Sequence, residues 1–136
     1  MNPVVHFEMP ADDQKRATDF YAKAFGWESQ IMGSEYGGYA VVTTTEVNKE
    51  TNRPKNPGAI NGGFFKKTKE TGQYPSIVIA VDDIYQAMKD VTEAGGKVLG
   101  GSQGAGKPDD IPGIGLYASF VDTEGNRVGM LQPVGM

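Results

Sequence analysis

His6 and Glu8 are the residues of this chain best suited to chemistry. They lie two positions apart in Val4-Val5-His6-Phe7-Glu8-Met9, a strand-like segment, and strand alternation puts both side chains on one face. An imidazole beside a carboxylate can move a proton. Glu8 is then the acceptor, with His6 or Arg127 orienting a polar small molecule. The same residues also fit a structural role, with Glu8 and Arg127 as an internal ion pair and His6 as a satisfied strand histidine. Both readings stay open at this level. A phosphate loop does not. The run Gly101 to Lys107 has the spacing G-x-x-x-x-G-K, but Pro108-Asp109-Asp110 follows where a hydroxyl residue and a helix are required. The acidic pair repels phosphate and the prolines interrupt a helix. This Gly-rich stretch is expected to act as a mobile lid.

Positioning these groups requires a small folded scaffold. The 136 residues fit one compact domain or two fused half-domains. Hydrophobic residues make up 38%, enough for a core and too many for a disordered chain. The net charge of −4 gives no general affinity for nucleic acid or an anionic membrane. The absence of cysteine excludes disulfides and thiolate ligands and agrees with a cytoplasmic location. Neither a signal peptide nor a membrane span is recognisable, so no membrane partner is expected.

The chain nearly repeats itself at an offset of 70 positions. Asp12-Asp13, Ala17, Ala24 and Gly26 recur as Asp82-Asp83, Ala87, Ala94 and Gly96. Each Asp-Asp follows a strand-like run and caps a helix-like stretch that ends at glycine. The apolar helix faces are Ala17, Phe20, Tyr21 and Ala24, then Ile84, Ala87, Met88 and Val91. Trp27–Met32, Gly38–Thr44 and Ala59–Lys66 read as strands, with Glu46–Gly58 as an exposed loop. The second half offers Lys97–Leu99, Gly115–Val121 and Arg127–Gln132, a loop over Gly100–Gly113 and a turn over Asp122–Asn126. Each half is therefore β-α-β-β-β. The expected modules are 1–66 and 75–136, joined by a linker at 67–74. Neither would bury much surface alone. Phe20, Tyr21, Phe25 and Trp27 are expected in the core of the first module.

These motifs resemble the vicinal oxygen chelate superfamily, which includes glyoxalase I, extradiol dioxygenases and bleomycin-resistance proteins. The residues that carry the likeness are His6-Phe7-Glu8-Met9-Pro10, Asp19-Phe20-Tyr21 and Phe25-Gly26-Trp27. In the second half they are Ala80-Val81-Asp82-Asp83, Ala94-Gly95-Gly96 and Asp122 to Arg127. The resemblance implies an α+β fold of two tandem βαβββ modules forming a concave, partly closed mixed sheet, usually in a homodimer. It also implies a small-molecule ligand in the cavity.

Metal-dependent members place His, Gln or Glu ligands on the first and last strands of each module. Carried over, His6 is the one retained ligand position. Its repeat mate is Ser76, the last-strand position of the second module is Gly129, and that of the first falls within Asn61-Gly62-Gly63. One ligand of four falls short of the three a catalytic zinc requires. The resemblance therefore implies a glyoxalase-like protein without the family's metal, which either sequesters a small organic molecule or acts on it through Glu8. The alternative is a metal-dependent lyase, isomerase or dioxygenase using Zn, Ni, Fe or Mn. Expected ligand-binding residues are Tyr39, Asn61, Phe64, Ser76, Tyr117, Arg127 and Gly129, with Tyr39 and Tyr117 as repeat mates. Glycine at 129 is expected to open volume for a ligand.

Overall fold

The computed structural model describes residues 1–134. In chain order the elements are β1 (Val4–Ala11), α1 (Gln14–Phe25), β2 (Glu28–Ile31), β3 (Ala40–Thr43), β4 (Val47–Asn48), β5 (Arg53–Pro54) and β6 (Asn61–Lys66). They continue with β7 (Ser76–Ala80), α2 (Ile84–Glu93), β8 (Lys97–Gly100), β9 (Asp109–Ile111), β10 (Gly115–Val121) and β11 (Arg127–Pro133). His6–Pro75 form one compact unit. Met1–Val5 group with the chain from Ser76 onward as the other.

The two units share one topology. In the first, β1 pairs in parallel with β6, β6 antiparallel with β3, and β3 antiparallel with β2. In the second, β7 pairs in parallel with β11, β11 antiparallel with β10, and β10 antiparallel with β8. The register supports the offset of 70 independently: Glu8 faces Gly63, and Val78 faces Gly129. Parallel pairing of a unit's first and last strands requires the intervening chain to cross over, and helix and hairpin supply that length.

Both helices begin as the sequence requires. The Asp13 carboxylate accepts from the Arg16 N–H at 3.0 Å, and Asp83 accepts from the Tyr85 and Gln86 N–H groups at 3.1 Å each. Gly26 ends α1 at φ 74°, in the left-handed region that glycine adopts without strain. Replacing Asp83 by Ala removes both capping bonds and is expected to cost about 1 kcal/mol in urea unfolding.

The second core matches its pattern: Ile84 is 0% exposed, and Met88, Ala118 and Met130 pack around it with Ala87 and Val91. The first core does not. Ala17, Tyr21 and Trp27 pack on Ala11, Ala40, Val42 and Phe64, with Tyr21 stacked on Trp27 at 4.6 Å. Phe20 and Phe25, expected in this core, are 58% and 66% exposed. The buried stripe runs through Ala17, Thr18 and Tyr21, and Phe20 lies roughly 105° around the helix from its centre. Phe25 sits on the helix's last turn, tilted against Tyr21 and Trp27 at centroid distances of 6.0 and 6.3 Å, with most of its ring left in solvent.

Two stretches expected as loops contain strands. β4 and β5 form a short hairpin within 46–58, turned by Asn52 at φ 57°. β9 pairs with β10 inside the segment expected as a lid. That segment is also tied to itself. The Asp109 carboxylate accepts from the Ser102 N–H at 3.0 Å and from Ser102 Oγ at 2.7 Å, and the Gly101 N–H donates to the Lys107 carbonyl at 2.8 Å. Among the described residues no helix is long and apolar enough to cross a membrane.

Candidate functional site

The site is built on β1. Phe7 and Met9 point to α1 and join the core, so alternation turns His6 and Glu8 to the opposite face. Parallel pairing sets His6 beside Asn61 and Glu8 beside Gly63.

The third member is Tyr39, immediately before β3. A 3-10 turn at Ser34–Tyr36 and two glycines at positive φ, Gly37 and Gly38, deliver it there. The Gln14 amide holds the Gly38 carbonyl at 3.0 Å, and the Met32 N–H donates to the Tyr39 carbonyl at 2.8 Å. Tyr39 therefore projects onto the His6–Glu8 face from a backbone fixed on both sides.

The phenol oxygen joins the other two groups. His6 Nε2 lies 3.0 Å from Tyr39 OH, and Tyr39 OH donates to Glu8 Oε2 at 3.2 Å. A phenol has one proton. Once given to Glu8, that proton is not available to the imidazole, so His6 must donate Nε2–H to the phenol oxygen. Nδ1 is then a bare acceptor. Burial lowers the His6 pKa to about 4, which keeps the ring neutral at physiological pH and agrees with this polarity.

The strand glycines explain how Tyr39 fits. A Cβ on Gly63 would overlap the Tyr39 phenol, and a Cβ on Gly62 would overlap the Phe7 ring on the other face. Adjacent glycines thus admit one aromatic ring against each side of β6.

The second unit repeats the packing without the acid–base pair. Ser119 faces Gly129, as Val41 faces Gly63, and in each unit the tyrosine lies two residues before. A Cβ on Gly129 would stand 2.6 Å from the Tyr117 hydroxyl. The volume expected to be open at Gly129 is therefore filled by the Tyr117 ring. Tyr39 and Tyr117 are structural counterparts. The register mate of Glu8 is Val78, 2% exposed, and that of His6 is Ser76.

The remaining sequence candidates divide. Asn61 shares the His6 face, and its Oδ1 accepts from the Thr44 N–H at 2.8 Å, fastening the start of β6. Phe64, expected to bind ligand, is instead a core residue on the helix side against Tyr21. Its neighbour Phe65 occupies the His6 face. Phe64 helps line a groove of about 520 Å³ beside α1, with Met9, Phe20 and Arg16, on the side of the sheet away from His6. Ser76 is half-buried and opens β7, while Arg127 is exposed at the start of β11.

The donor set does not fit a family-type metal. Among the described residues no three His, Cys, Asp or Glu side chains converge. At Gly63 and Gly129, the last-strand positions, aromatic rings fill the space a ligating side chain needs.

A family model, "Glyoxalase/Bleomycin resistance protein/Dioxygenase superfamily", matches residues 4–130. A "Glyoxylase-like domain-containing protein" of Didymella fabae is 30% identical over 122 residues, 88% of this chain and 84% of that protein. Among solved structures, Streptomyces coelicolor methylmalonyl-CoA epimerase in complex with 2-nitronate-propionyl-CoA superposes with TM-score 0.69 at 13% identity, covering 100% of this chain and 97% of that one. A glyoxalase/bleomycin resistance protein/dioxygenase superfamily member from Vibrio splendidus gives TM-score 0.59 at 14% identity, covering 97% of this chain and 99% of that one. At these identities the two structures speak for the fold alone.

Proposed function

Because the chain belongs to the Glyoxalase/Bleomycin resistance protein/Dioxygenase superfamily, we propose that it binds a small polar organic molecule against the His6–Tyr39–Glu8 face. It handles that molecule by hydrogen bonding and proton transfer rather than through a metal. The observation that carries this reading is the phenol-bridged pair, His6 Nε2 and Glu8 Oε2 on one Tyr39 oxygen. The bridge leaves a neutral imidazole whose Nδ1 is an acceptor, beside the carboxylate that takes the phenol proton. An imidazole acceptor there suits a ligand that brings hydroxyl or N–H donors. Glu8 is the group able to take a proton from the bound molecule.

The test uses the fact that His6 is the only histidine of the chain. Neutral hydroxycarbonyl compounds, such as dihydroxyacetone or a hemithioacetal, are titrated in chelator while the His6 NMR signals are followed. Saturable shifts with these compounds are expected, and their absence would contradict the proposal. Binding that appears only with added divalent metal and vanishes in chelator would establish the metal-dependent alternative instead. Deuterium exchange next to the ligand's carbonyl separates action from sequestration. If exchange is catalysed, Glu8→Gln lowers it roughly 100-fold or more.

A further inference from the structure

We infer that Tyr39 is the residue that bars a divalent cation from the His6–Glu8 pair, its ring filling the volume of a Gly63 side chain and its hydroxyl occupying the point that both donors reach. Three observations combine. First, His6 Nε2 at 3.0 Å and Glu8 Oε2 at 3.2 Å converge on a single oxygen. A cation held by His6 Nε2 together with Glu8 Oε2 would sit between those same two atoms. Second, the three atoms nearest to a Cβ on Gly63 all belong to Tyr39. Position 63 faces Glu8 across the parallel ladder, so a ligating side chain placed there would enter the same space.

Third, the arrangement recurs. In the second unit the three atoms nearest to a Cβ on Gly129 all belong to Tyr117, at the same register. A tyrosine laid over a last-strand glycine is thus a repeated device of this chain. In the first unit it does more than fill space. It turns two side chains that resemble an incomplete cation site into a hydrogen-bonded relay with a defined direction. Tyr39 is in this sense a positioning residue: it decides whether His6 and Glu8 work on protons or hold an ion. The inference concerns what the pair excludes and does not depend on which organic molecule, if any, binds beside it.

The experiment is a zinc titration by calorimetry of the full chain, with the His6 imidazole followed by NMR. Three proteins are compared: wild type, Tyr39→Phe, and the double variant Tyr39→Ala/Gly63→Glu. Wild type is expected to show no stoichiometric zinc at His6. Tyr39→Phe removes the hydroxyl but keeps the ring over Gly63, and is expected to gain far less zinc affinity than the double variant, while its His6 signals change because the bond to the phenol is lost. The double variant removes the ring and adds a carboxylate, and is expected to bind zinc roughly 10- to 100-fold more tightly than wild type. Adding His6→Ala should abolish that gain. Circular dichroism establishes that the double variant is folded. Stoichiometric zinc on His6 of the wild type overturns the inference. So does a gain in Tyr39→Phe equal to that of the double variant, or a folded double variant no better than wild type. The single Tyr39→Ala variant provides the same comparison should the double variant not fold, with a smaller gain expected over wild type and no gain at all overturning the inference.

Discussion

Gly63→Ala is expected to destabilise the protein by about 2–4 kcal/mol, unusually much for the addition of one methyl group. Gly63 is not among the glycines at positive φ, so alanine meets no backbone strain there. The cost arises because the new Cβ overlaps the Tyr39 phenol. Moving the ring also breaks its bonds to His6 and Glu8, which leaves half-buried polar groups to find other partners. A double-mutant cycle isolates the cause. In a Tyr39→Ala background the added methyl should cost little, giving a coupling energy of about 2 kcal/mol. Gly129→Ala should show the same coupling with Tyr117→Ala. Urea unfolding of the four proteins in each cycle measures it. Additive costs would mean that the tyrosines do not rest on the glycines.

Acid should destabilise the protein through His6 well before most carboxylates protonate. The unfolded chain takes up the histidine proton near the ordinary value of 6.5, and the folded chain only at about 4, because burial opposes the charge. Between those values the unfolded state binds more protons, so stability falls as pH falls and this contribution levels off below about 4. Over the whole window the loss is on the order of 3 kcal/mol. His6→Gln removes the only imidazole and should flatten stability between pH 6.5 and about 5 relative to wild type. Equal slopes in the two proteins over that range would show that His6 titrates as an exposed histidine does.

Much of the scaffold was legible from local rules. Asp13 and Asp83 cap, Gly26 stops α1, and Gly125 at φ 85° turns the hairpin whose Asp122 carboxylate binds the Glu124 and Asn126 N–H groups. Asn126 and these backbone donors hold the Asp122 pKa below its usual value. The 70-residue offset was legible because it is written in residue identities and confirmed by strand register. Phe20 was misplaced because polarity hides the true stripe. Thr18 is buried, its hydroxyl satisfied by the Lys15 carbonyl at 3.1 Å, and its polar type gave no sign of that. His6 and Glu8 were placed on one face by alternation alone. Their link through Tyr39 was not legible, because it depends on the register of β3 against β6 across a long intervening connection. The only advance signal was the doublet Gly62-Gly63 inside a strand, which marks close approach of something to the backbone. Volume at Gly129 was misjudged for the same reason. The residue that fills it, Tyr117, is adjacent only through the pairing of β10 with β11.

The most direct measurement is a pH titration of the lone imidazole by long-range proton–nitrogen NMR, in wild type and in Tyr39→Phe. The expected result is a wild-type ring held as the Nε2–H tautomer with its midpoint at about 4, and a tautomer balance that shifts when the phenol oxygen is removed. A wild-type midpoint near 6.5, with mixed tautomers unchanged by Tyr39→Phe, would contradict it.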